Sequence, residues 1–474
     1  MEMRRTKIVC TIGPATRNKK IIRKLIKAGM NVARLNFSHD TQECHGEAIR
    51  IIRETASNMK RSVAILQDIG GPKIRIGTIE NGPVHLKPGQ SFTITTRDVP
   101  GNTDAVSVSY SRLPEDVQTG DTLLLSDGSL ELSVKKVEQK DITCKVVVGG
   151  PLDSHKGINL PDRSISAPIL SKKDLSDLAF GIDQGVDYVA ISFVRNAGDV
   201  IRVKDHMGNK EGAPRLIAKI EKHEALTCIN EILPEVDGLM VARGDLGVEI
   251  PIEKTPGAQK RLIDHCNRAG KPVITATQML KSMVESPRPT RAEVTDVANA
   301  ILDGSDAIML SEETAVGNYP IEAVRMMSKI AIQTESEFPF DEWYKKYGEE
   351  ALSPQKAVAR SACRIAQGIS AAAIITSTQS GSTTQMVSRY RPAQPILAMT
   401  PDRTTYRRLA LIWGAVPLLI EETKSTDELE KISVEMARKQ RLIKCGDQIV
   451  FTAGIPLNVT GTTNLIKIAT CPMK

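Results

Sequence analysis

Two short stretches of the chain carry the residue types that bind divalent metal ions and phosphate groups. In the first, an apolar run at 216–220 predicts a buried strand, and the two-residue period of a strand places Lys219 and Glu221 on one face. In the second, another apolar run ends in Gly244, which lets a ligand approach the backbone, and in the carboxylate of Asp245. We therefore expect two carboxylates and one ammonium group to converge at the ends of two strands.

Carboxylate oxygens in this arrangement suit Mg²⁺ or Mn²⁺, with water and an anionic substrate completing the coordination. The ammonium group of Lys219 would face the same anion. A pair of surface salt bridges at strand ends is the other interpretation of these residues. Because Lys-x-Glu is accompanied by Gly-Asp at the next strand, the metal site is favoured.

The bulk composition is that of a globular protein with more than one domain. A chain of 474 residues exceeds one ordinary core, so two or three domains are expected. The net charge of +7 is compatible with nucleic acid, but the basic residues are spread along the chain and aromatic residues make up only 3%. Without a stacking platform or polybasic tract, nucleic acid is not an expected partner, and anionic small molecules explain the charge better.

Cysteine usage and the N-terminus predict a cytoplasmic location. The eight cysteines show no Cys-x-x-Cys pair and no Cys/His cluster at zinc spacing, which is typical of reduced thiols. The apolar run near the start is broken by Gly13 and Pro14 and is too short for a secretory signal. No apolar stretch approaches the roughly 20 residues that span a membrane, so no membrane partner is expected.

Strand and helix patterns alternate through much of the chain, as is typical of a parallel sheet. Amphipathic helices are predicted near 18–29 and 41–58, and Ser171 is a predicted helix N-cap. Strands are predicted at 7–12, 31–37, 62–69, 187–193, 216–220, 239–242, 273–277 and 307–310. Eight such units predict an α/β fold with a TIM (β/α)₈ barrel. This barrel would be the catalytic domain and would comprise residues 1–71 and 168–338.

Two interruptions divide the chain further. Between 72 and 167, turns rich in Gly, Pro and Asp separate short alternating strands, which predicts an inserted small β-barrel lid domain. The segment 335–343 breaks the pattern again, and a C-terminal α/β domain is expected at 353–474. The strands of its doubly wound sheet are predicted at 371–376, 396–399, 416–419, 448–452 and 465–469.

In a TIM barrel the chemistry lies at the carboxyl ends of the strands, so polar residues there should share one pocket. Arg34, Asn36 and Ser38 alternate along the second strand, and Asp68 closes the third. Further polar residues at strand ends or beyond them are His39, Lys73, Arg75, Thr275, Thr277, Ser311, Glu312 and Glu313. Singly, each also has an ordinary interpretation, such as a salt bridge or a helix cap. Together they predict a pocket for a phosphate and carboxylate ligand on a divalent ion.

Two segments resemble those of a known family. Ile-Ala-Lys219-Ile-Glu221-Lys-His-Glu-Ala and Met-Val-Ala-Arg-Gly244-Asp245-Leu-Gly-Val-Glu-Ile-Pro closely resemble the signature segments of pyruvate kinases. The resemblance extends over nearly the whole chain. It implies a phosphotransferase of the last step of glycolysis, which transfers the phosphoryl group of phosphoenolpyruvate to ADP and gives pyruvate and ATP through an enolate.

The same resemblance implies a role for each residue of the pocket. Glu221 and Asp245 would hold Mg²⁺, or Mn²⁺ in its place. Lys219, Arg34 and Thr277 would act in catalysis, with Lys219 at the moving phosphoryl group, Arg34 at the phosphate and Thr277 near the enolate carbon. The backbone of Gly244 and Asp245 would bind the substrate carboxylate. Contacts to ADP or ATP are implied for Asn36, His39, Arg75 and Lys156, and the last of these would arrive with a closing lid.

One segment departs from the commonest family pattern. Many members read Asp-Thr-Lys-Gly-Pro-Glu-Ile-Arg, whereas this chain reads Asp68-Ile-Gly-Gly-Pro-Lys73-Ile-Arg75. In the form of the enzyme that requires K⁺, the matches to Asn36, Ser38, Asp68 and the following residue coordinate K⁺. Because the Lys73 ammonium could supply the charge that K⁺ provides elsewhere, we hypothesise that little or no K⁺ is needed. Alternatively, Lys73 points to solvent and K⁺ still binds.

The C-terminal domain has a loop of hydroxyl residues and glycine between a strand and a helix. Such a loop can cradle a phosphate group or simply cap the helix. The family binds sugar-phosphate or nucleotide effectors at the corresponding residues, which are Ser377, Thr378, Ser380, Gly381, Ser382 and Thr383, with 460–463 nearby. The resemblance also places Arg291 near a neighbouring subunit of a homotetramer. Some bacterial members carry an additional C-terminal domain, which is not expected within these 474 residues.

Two other functions compete with this interpretation. A metal-dependent lyase or aldolase of the same barrel class would use a similar acidic site, but it needs neither the lid nor Arg75 and Lys156. A catalytically silent regulatory relative should lack the central lysine or a metal carboxylate, yet Lys219, Glu221 and Asp245 are all present.

Overall fold

The N-terminal part of the chain alternates buried strands with amphipathic helices, as its apolar pattern predicts. The computed structural model describes residues 3–161, 163–208, 212–347, 353–457, 459 and 461–473. Its first elements are β1 (Lys7–Thr11), α1 (Lys19–Ala28), β2 (Val32–Asn36), α2 (Gln42–Asn58) and β3 (Ala64–Ile69). The side chains of Asn18 and Thr41 cap the two helices by accepting hydrogen bonds from first-turn N–H groups.

The chain after β3 forms a separate unit of short strands around its own apolar core. Its elements are β4 (Val84–Leu86), β5 (Ser91–Thr95), β6 (Ala105–Ser107), α3 (Leu113–Asp116), β7 (Thr122–Leu125), β8 (Leu130–Glu138), β9 (Asp141–Val148), β10 (Gly150–Leu152) and β11 (Ile158–Asn159). Six strands pair in the order β11-β7-β8-β9-β5-β6, and β4 pairs with β10. Arg75 bridges to Gly157, next to β11, and Ile76 bridges to Val108, next to β6. The chain at 74–77 therefore joins the two edges of the six-stranded sheet. The result agrees with the small β-barrel that the sequence predicts.

The chain then returns to the strand and helix alternation. The returning elements are α4 (Lys172–Asp183), β12 (Tyr188–Ile191), α5 (Ala197–Met207), β13 (Arg215–Ile220), α6 (His223–Thr227), α7 (Ile229–Glu235), β14 (Gly238–Ala242), α8 (Arg243–Glu249), α9 (Thr255–Ala269), β15 (Val273–Ala276), α10 (Arg291–Leu302), β16 (Ala307–Leu310), α11 (Glu312–Ala315) and α12 (Pro320–Ser336). Ser171 caps α4 in a reciprocal capping box with Asp174, as its position before the helical pattern predicts.

Eight parallel strands close into a barrel in the order β1-β16-β15-β14-β13-β12-β3-β2. Along β13, Leu216, Ala218 and Ile220 pack against the surrounding helices, whereas Ile217 packs inside the barrel. Lys219 shares the inward face with Ile217, because side chains alternate along a strand. The TIM barrel predicted from the sequence is therefore confirmed, with polar side chains stacked above an apolar interior.

The C-terminal part builds a five-stranded sheet. Its elements are α13 (Phe340–Tyr347), α14 (Pro354–Gly368), β17 (Ala373–Ser377), α15 (Ser382–Arg389), β18 (Ile396–Thr400), α16 (Arg403–Arg408), β19 (Ala415–Leu419), α17 (Thr426–Lys439), β20 (Gln448–Gly454) and β21 (Thr463–Thr470). The strand order is β19-β18-β17-β20-β21, and only β21 runs antiparallel among these strands. The predicted break at 335–343 is shorter than expected, because α12 extends to Ser336 and α13 begins at Phe340. No helix in the described residues is both long enough and apolar enough to cross a membrane.

Candidate active site

The ammonium group of Lys219 is held by three oxygen atoms at the carboxyl ends of the strands. Its Nζ lies 2.8 Å from Oγ of Ser192, 2.9 Å from Oε1 of Glu221 and 3.2 Å from Oδ1 of Asp68. Burial favours the neutral amine, but Asp68 and Glu221 outweigh it and raise the pKa of Lys219 above its ordinary value. The site therefore holds a fixed, buried positive charge.

Arg34 reaches the same point from β2. Its Nε donates to Oδ2 of Asp68 at 2.6 Å, and its Nη1 donates to Oγ1 of Thr11 at 2.9 Å. Burial opposes the ionised form of Asp68, but Arg34 and Lys219 hold the pKa of that carboxyl below its usual range. Asp68 thus aligns two cations side by side, an arrangement suited to a multiply charged anion.

Glu221 and Asp245 form a donor set that fits a divalent ion. Oε2 of Glu221 accepts the Phe193 N–H at 2.8 Å, which fixes the carboxylate. Burial raises the pKa of Glu221, and the nearby charge of Asp245 raises it further, although Lys219 acts in the opposite direction. Two carboxylates that repel each other beside a buried cation offer the hard oxygen ligands that Mg²⁺ prefers.

Lys73 points into this site rather than to solvent. Its Nζ lies 3.0 Å from Oδ1 of Asp245 and 3.8 Å from Oδ1 of Asp127, and a quarter of its side chain is exposed. A Cβ on Gly157 would lie 2.9 Å from Cε of Lys73, so the glycine leaves room for the lysine to pass. The ammonium group therefore contacts a carboxylate that the sequence predicts as a metal ligand.

The predicted potassium ligands are largely engaged within the chain. Both oxygens of Asp68 face Arg34 or Lys219, and the Ile69 carbonyl accepts the Ser192 hydroxyl at 2.6 Å. Oδ1 of Asn36 accepts the backbone N–H of Ser38 at 3.2 Å. Ser38 lies against Gly70, where a Cβ would be 2.9 Å from its Oγ. The oxygens of Asp68, Ile69 and Asn36 that would surround K⁺ thus already accept local hydrogen bonds or ion pairs.

Thr277 reaches the site by a route that the strand pattern did not predict. Strand β15 ends at Ala276, and Thr277 adopts a left-handed backbone with φ of 70°. Its Oγ1 accepts the Gly244 N–H at 2.7 Å, at the start of α8. Thr275, also predicted among the polar residues of the pocket, is buried instead, with its hydroxyl 2.7 Å from Oγ of Ser305.

The residues predicted to contact the nucleotide come from two domains. Arg75 bridges to Gly157, next to Lys156, and its Nη1 donates to the His155 carbonyl at 3.0 Å. Arg75 and Lys73 line an open cavity of about 520 Å³ in the inserted unit. Of the other two predicted contacts, Asn36 is the last residue of β2 in the barrel, and His39 lies beyond the strand and is exposed.

In the structure, Glu313 and Ser192 have contacts that the sequence did not predict. Glu313 turns away from the ligand side, because its carboxylate accepts the N–H groups of Leu280 and Ser311 at 3.1 and 2.7 Å. Ser192 was not predicted, although it directly follows β12 and contacts Lys219. Its position at a strand end was the available signal.

The predicted effector loop lies between β17 and α15. Thr378 Oγ1 accepts the Gly381 N–H at 2.9 Å, and Gly381 has φ of 91°, a conformation that favours glycine. The loop lines a cavity together with Glu421 and Thr463, and no Lys or Arg is among the described residues of its lining. Thr460, also predicted nearby, lies outside the described residues.

These features define the class of the protein. A parallel α/β barrel presents buried cations and paired carboxylates at the carboxyl ends of its strands, where barrel enzymes carry their active sites. The class is therefore a barrel enzyme whose site is suited to an anionic ligand and a divalent ion.

Comparison with known proteins specifies the family. The family models described as "Pyruvate kinase, barrel domain" and "Pyruvate kinase, alpha/beta domain" match residues 3–324 and 356–469. Pyruvate kinase 2 of Synechocystis sp. is 48% identical over 469 residues, which cover 98% of this chain and 79% of that protein. Pyruvate kinases of Geobacillus stearothermophilus and Clostridium acetobutylicum are 47% and 43% identical over 469 residues, covering 98% of this chain and 80% and 99% of theirs. The chain belongs to the pyruvate kinase family and is a phosphotransferase, as the sequence predicts.

Proposed function

We propose that this chain transfers the phosphoryl group of phosphoenolpyruvate to ADP, which gives pyruvate and ATP. The observation that carries the proposal is the caged ammonium group of Lys219, set between Ser192, Asp68 and Glu221 beside Arg34. A positive charge fixed in a buried site stabilises the charge that spreads over the oxygens of a moving phosphoryl group.

The chain's own residues divide the work of the reaction. Arg34, oriented by Asp68 and Thr11, binds the phosphate group, and Lys219 follows the phosphoryl group in transit. The bond from phosphorus to the enol oxygen breaks, its electron pair stays on that oxygen, and a bond forms to the terminal phosphate oxygen of ADP. Glu221 and Asp245 would hold Mg²⁺, which supplies positive charge to the substrate oxygens when bound.

The resulting enolate takes up a proton at its terminal carbon. Thr277 and the first turn of α8 line one wall of the site, since Thr277 Oγ1 lies 2.7 Å from the Gly244 nitrogen. The substrate carboxylate would accept hydrogen bonds from the backbone N–H groups of Gly244 and Asp245 at the start of α8. Thr277 would then stand beside the carbon that gains the proton.

The nucleotide would bind between the barrel and the inserted unit. Asn36 and His39 approach from β2, while Arg75 and Lys156 approach from the inserted chain beside the 520 Å³ cavity. We divide the chain accordingly into a barrel at 1–71 and 168–338, a lid at 72–167 and a C-terminal domain at 353–474. Closure of the lid would exclude water from the transfer step.

The direct test is pyruvate formation by the purified protein with phosphoenolpyruvate, ADP and Mg²⁺. We expect pyruvate and ATP in equal amounts and no pyruvate without ADP. Pyruvate release that does not need ADP would favour the lyase or aldolase. Ligand binding without turnover by well-folded protein would favour the silent regulatory relative.

We further propose that Lys73 makes the enzyme largely independent of K⁺. The contact of Lys73 with Asp245, and the local bonds of the predicted K⁺ ligands, support this. The rate of the unmodified enzyme should change less than about twofold when tetramethylammonium replaces K⁺, since the ammonium already supplies the charge. Lys73→Met should be slower and should be activated by K⁺. A rise of orders of magnitude with K⁺ in the unmodified enzyme would contradict the proposal.

At the C-terminal domain we propose an effector site for a sugar phosphate or nucleotide. Because no Lys or Arg is among the described residues of the cavity lining, phosphate recognition would rest on hydroxyl groups and the start of α15. Calorimetric titration with sugar monophosphates, bisphosphates and nucleotides should identify the effector. Ser382→Asp, which places a carboxylate in the first turn of α15, should abolish its binding.

The assembly and location follow the same family reasoning. We propose a homotetramer in which Arg291, exposed at the first position of α10, lies near a neighbouring subunit. Light scattering during size-exclusion chromatography should give four times the chain mass. We also propose a cytoplasmic location, which the glycolytic substrates and the eight free thiols support.

A further inference from the structure

At the junction of the inserted unit and the barrel, three side chains turn buried atoms toward one point. His223 and Glu224 begin α6, and Glu249 is the last residue of α8. Nδ1 of His223 lies 3.3 Å from Oε2 of Glu224 and 3.6 Å from Oε2 of Glu249. These three atoms are buried, and none has a hydrogen-bond partner in the described part of the chain.

Each carboxylate is oriented through its other oxygen atom. Oε1 of Glu249 accepts from Nδ2 of Asn159 at 2.9 Å and from Nζ of Lys222 at 2.7 Å. Oε1 of Glu224 accepts the hydroxyl of Ser164. Asn159 and Ser164 belong to the inserted unit, so that unit itself aims both carboxylates. Outer hydrogen bonds of this kind orient the ligands of metal sites.

Burial and charge both favour a cation between His223, Glu224 and Glu249. The side chain of Glu249 is 1% exposed, and an unpaired carboxylate oxygen at that depth is costly. Glu224 and Glu249 carry two negative charges against the single positive charge of Lys222. Arg195 is also nearby, but its guanidinium donates hydrogen bonds to Asp199 and to the Ile165 carbonyl. With a neutral imidazole the cluster keeps one excess negative charge.

We propose that His223, Glu224 and Glu249 bind one divalent transition-metal ion of the Zn²⁺ class, with water as the fourth ligand. Ligand atoms about 2.0–2.2 Å from a tetrahedral ion lie about 3.3–3.6 Å apart, which matches both distances from His223. One imidazole nitrogen with two carboxylate oxygens suits Zn²⁺ or Co²⁺ better than Mg²⁺. The His223 side chain is one-third exposed, which gives the ion a path from solvent.

This site is separate from the site proposed for Mg²⁺ and independent of the proposed reaction. It uses neither Glu221 nor Asp245, and two of its ligands are held by the inserted unit. A bound ion would therefore also fasten the inserted unit to the barrel. If the hydrogen bonds from Asn159 and Ser164 broke, the carboxylates of Glu249 and Glu224 would lose the orientation in which they bind the ion.

The test is a Co²⁺ titration of the full-length protein followed by visible absorption, with Mg²⁺ in excess to occupy Glu221 and Asp245. Tetrahedral Co²⁺ absorbs visible light much more strongly than octahedral Co²⁺. We expect one equivalent of intense absorption that Zn²⁺ abolishes by displacement. Absence of this band in Mg²⁺ would overturn the proposal and leave a protonated His223 between two carboxylates as the account of the cluster.

Variants separate this site from other cobalt ligands. His223→Ala should abolish the band, whereas His85→Ala, which changes an exposed histidine of β4, should keep it. Asn159→Ala should keep the ligands but weaken binding by about tenfold or more, because the outer hydrogen bond to Glu249 is lost. A band of equal intensity and affinity in His223→Ala would place the metal elsewhere and overturn the proposal.

Discussion

At the scale of single residues, the site is organised around the ammonium group of Lys219, which its neighbours hold in place. Ser192, Asp68 and Glu221 hold the ammonium of Lys219 from three different strand ends, at 2.8–3.2 Å. Burial alone would favour the neutral amine, but the two carboxylates raise the pKa of Lys219 and keep it charged. A charge held in place before the reaction needs little reorganisation when the phosphoryl group moves.

Thr277 offers a residue-scale prediction, because its conformation is strained. A β-branched residue with φ of 70° is uncommon, and such strain often marks functional sites. Thr277→Ala removes the hydroxyl that contacts the Gly244 N–H, so kcat should fall by about 10- to 100-fold, as for loss of a proton-transfer group. Initial rates against phosphoenolpyruvate and a thermal melt would measure the effect.

The conservative variant provides the control for this prediction. Thr277→Ser keeps the hydroxyl and should retain most of the activity. Equal losses in the Ala and Ser variants, with unchanged melting temperature, would show that the methyl group rather than the hydroxyl matters, and would remove Thr277 from the proton-transfer step.

At the scale of elements, the regular strands could be predicted and their irregular ends could not. Lys219 lies on the interior face of β13 because side chains alternate along a strand, which the sequence shows directly. Thr277 contradicts the same rule, since β15 ends one residue earlier and a left-handed residue turns the chain. Local sequence does not encode where a strand ends with that precision.

Contacts between elements far apart in the sequence were the least predictable. Lys73 meets Asp245 across 172 residues and two structural units, so no local pattern could place the two together. The strand-end position of Ser192 was an ambiguous signal, because a hydroxyl between a strand and a helix also suits an ordinary cap. The chemistry of the site could thus be predicted, but its internal bonding required the fold.

The start of α10 gives an element-scale prediction. The Thr290 hydroxyl accepts the Glu293 N–H while the Glu293 carboxylate accepts the Thr290 N–H, and Glu293 also binds Ser282. Thr290→Ala should destabilise the protein by about 1 kcal/mol, because one capping bond is lost. Thermal melts should show the decrease, and Thr295→Ala in the same helix should change stability by less. Equal melting temperatures for Thr290→Ala and the unmodified protein would contradict the cap's importance.

At the scale of the whole molecule, the C-terminal domain is joined to the opposite end of the barrel from the site. The Lys7 ammonium donates to the Ala415 carbonyl at 2.6 Å, and the Tyr188 hydroxyl donates to the Arg408 carbonyl at 2.8 Å. Arg215, the first residue of β13, donates to the Ser380 carbonyl in the predicted effector loop at 2.5 Å. The strand that ends at the Lys219 site therefore begins at the effector loop.

The buried Lys7 predicts how stability depends on pH. Burial lowers the pKa of Lys7 to about 7, whereas the pKa of an unfolded lysine is about 10.4. Between these values the unfolded chain binds more protons, so stability should rise with pH, by up to about 1.4 kcal/mol per pH unit for one proton. Below about pH 7 both states are protonated, and the full cost of burying the charge remains.

Melting temperatures at pH 7, 8 and 9 test this account of Lys7. Lys7→Met lacks the titrating group, so its stability should rise less with pH than that of the unmodified protein. Lys24→Met, which changes an exposed lysine of α1, should follow the unmodified protein. Parallel pH curves for Lys7→Met and the unmodified protein would contradict the prediction.

The most direct test of the central claim is ADP-dependent pyruvate formation by Lys219→Met, with Mg²⁺ and with circular dichroism to verify folding. Methionine keeps much of the side-chain length but removes the charge beside Arg34 and Glu221. We predict that kcat falls by about a thousandfold or more, because the transition state loses its fixed cation. A folded variant that retains kcat within about tenfold of the unmodified enzyme would contradict the role of Lys219 in phosphoryl transfer.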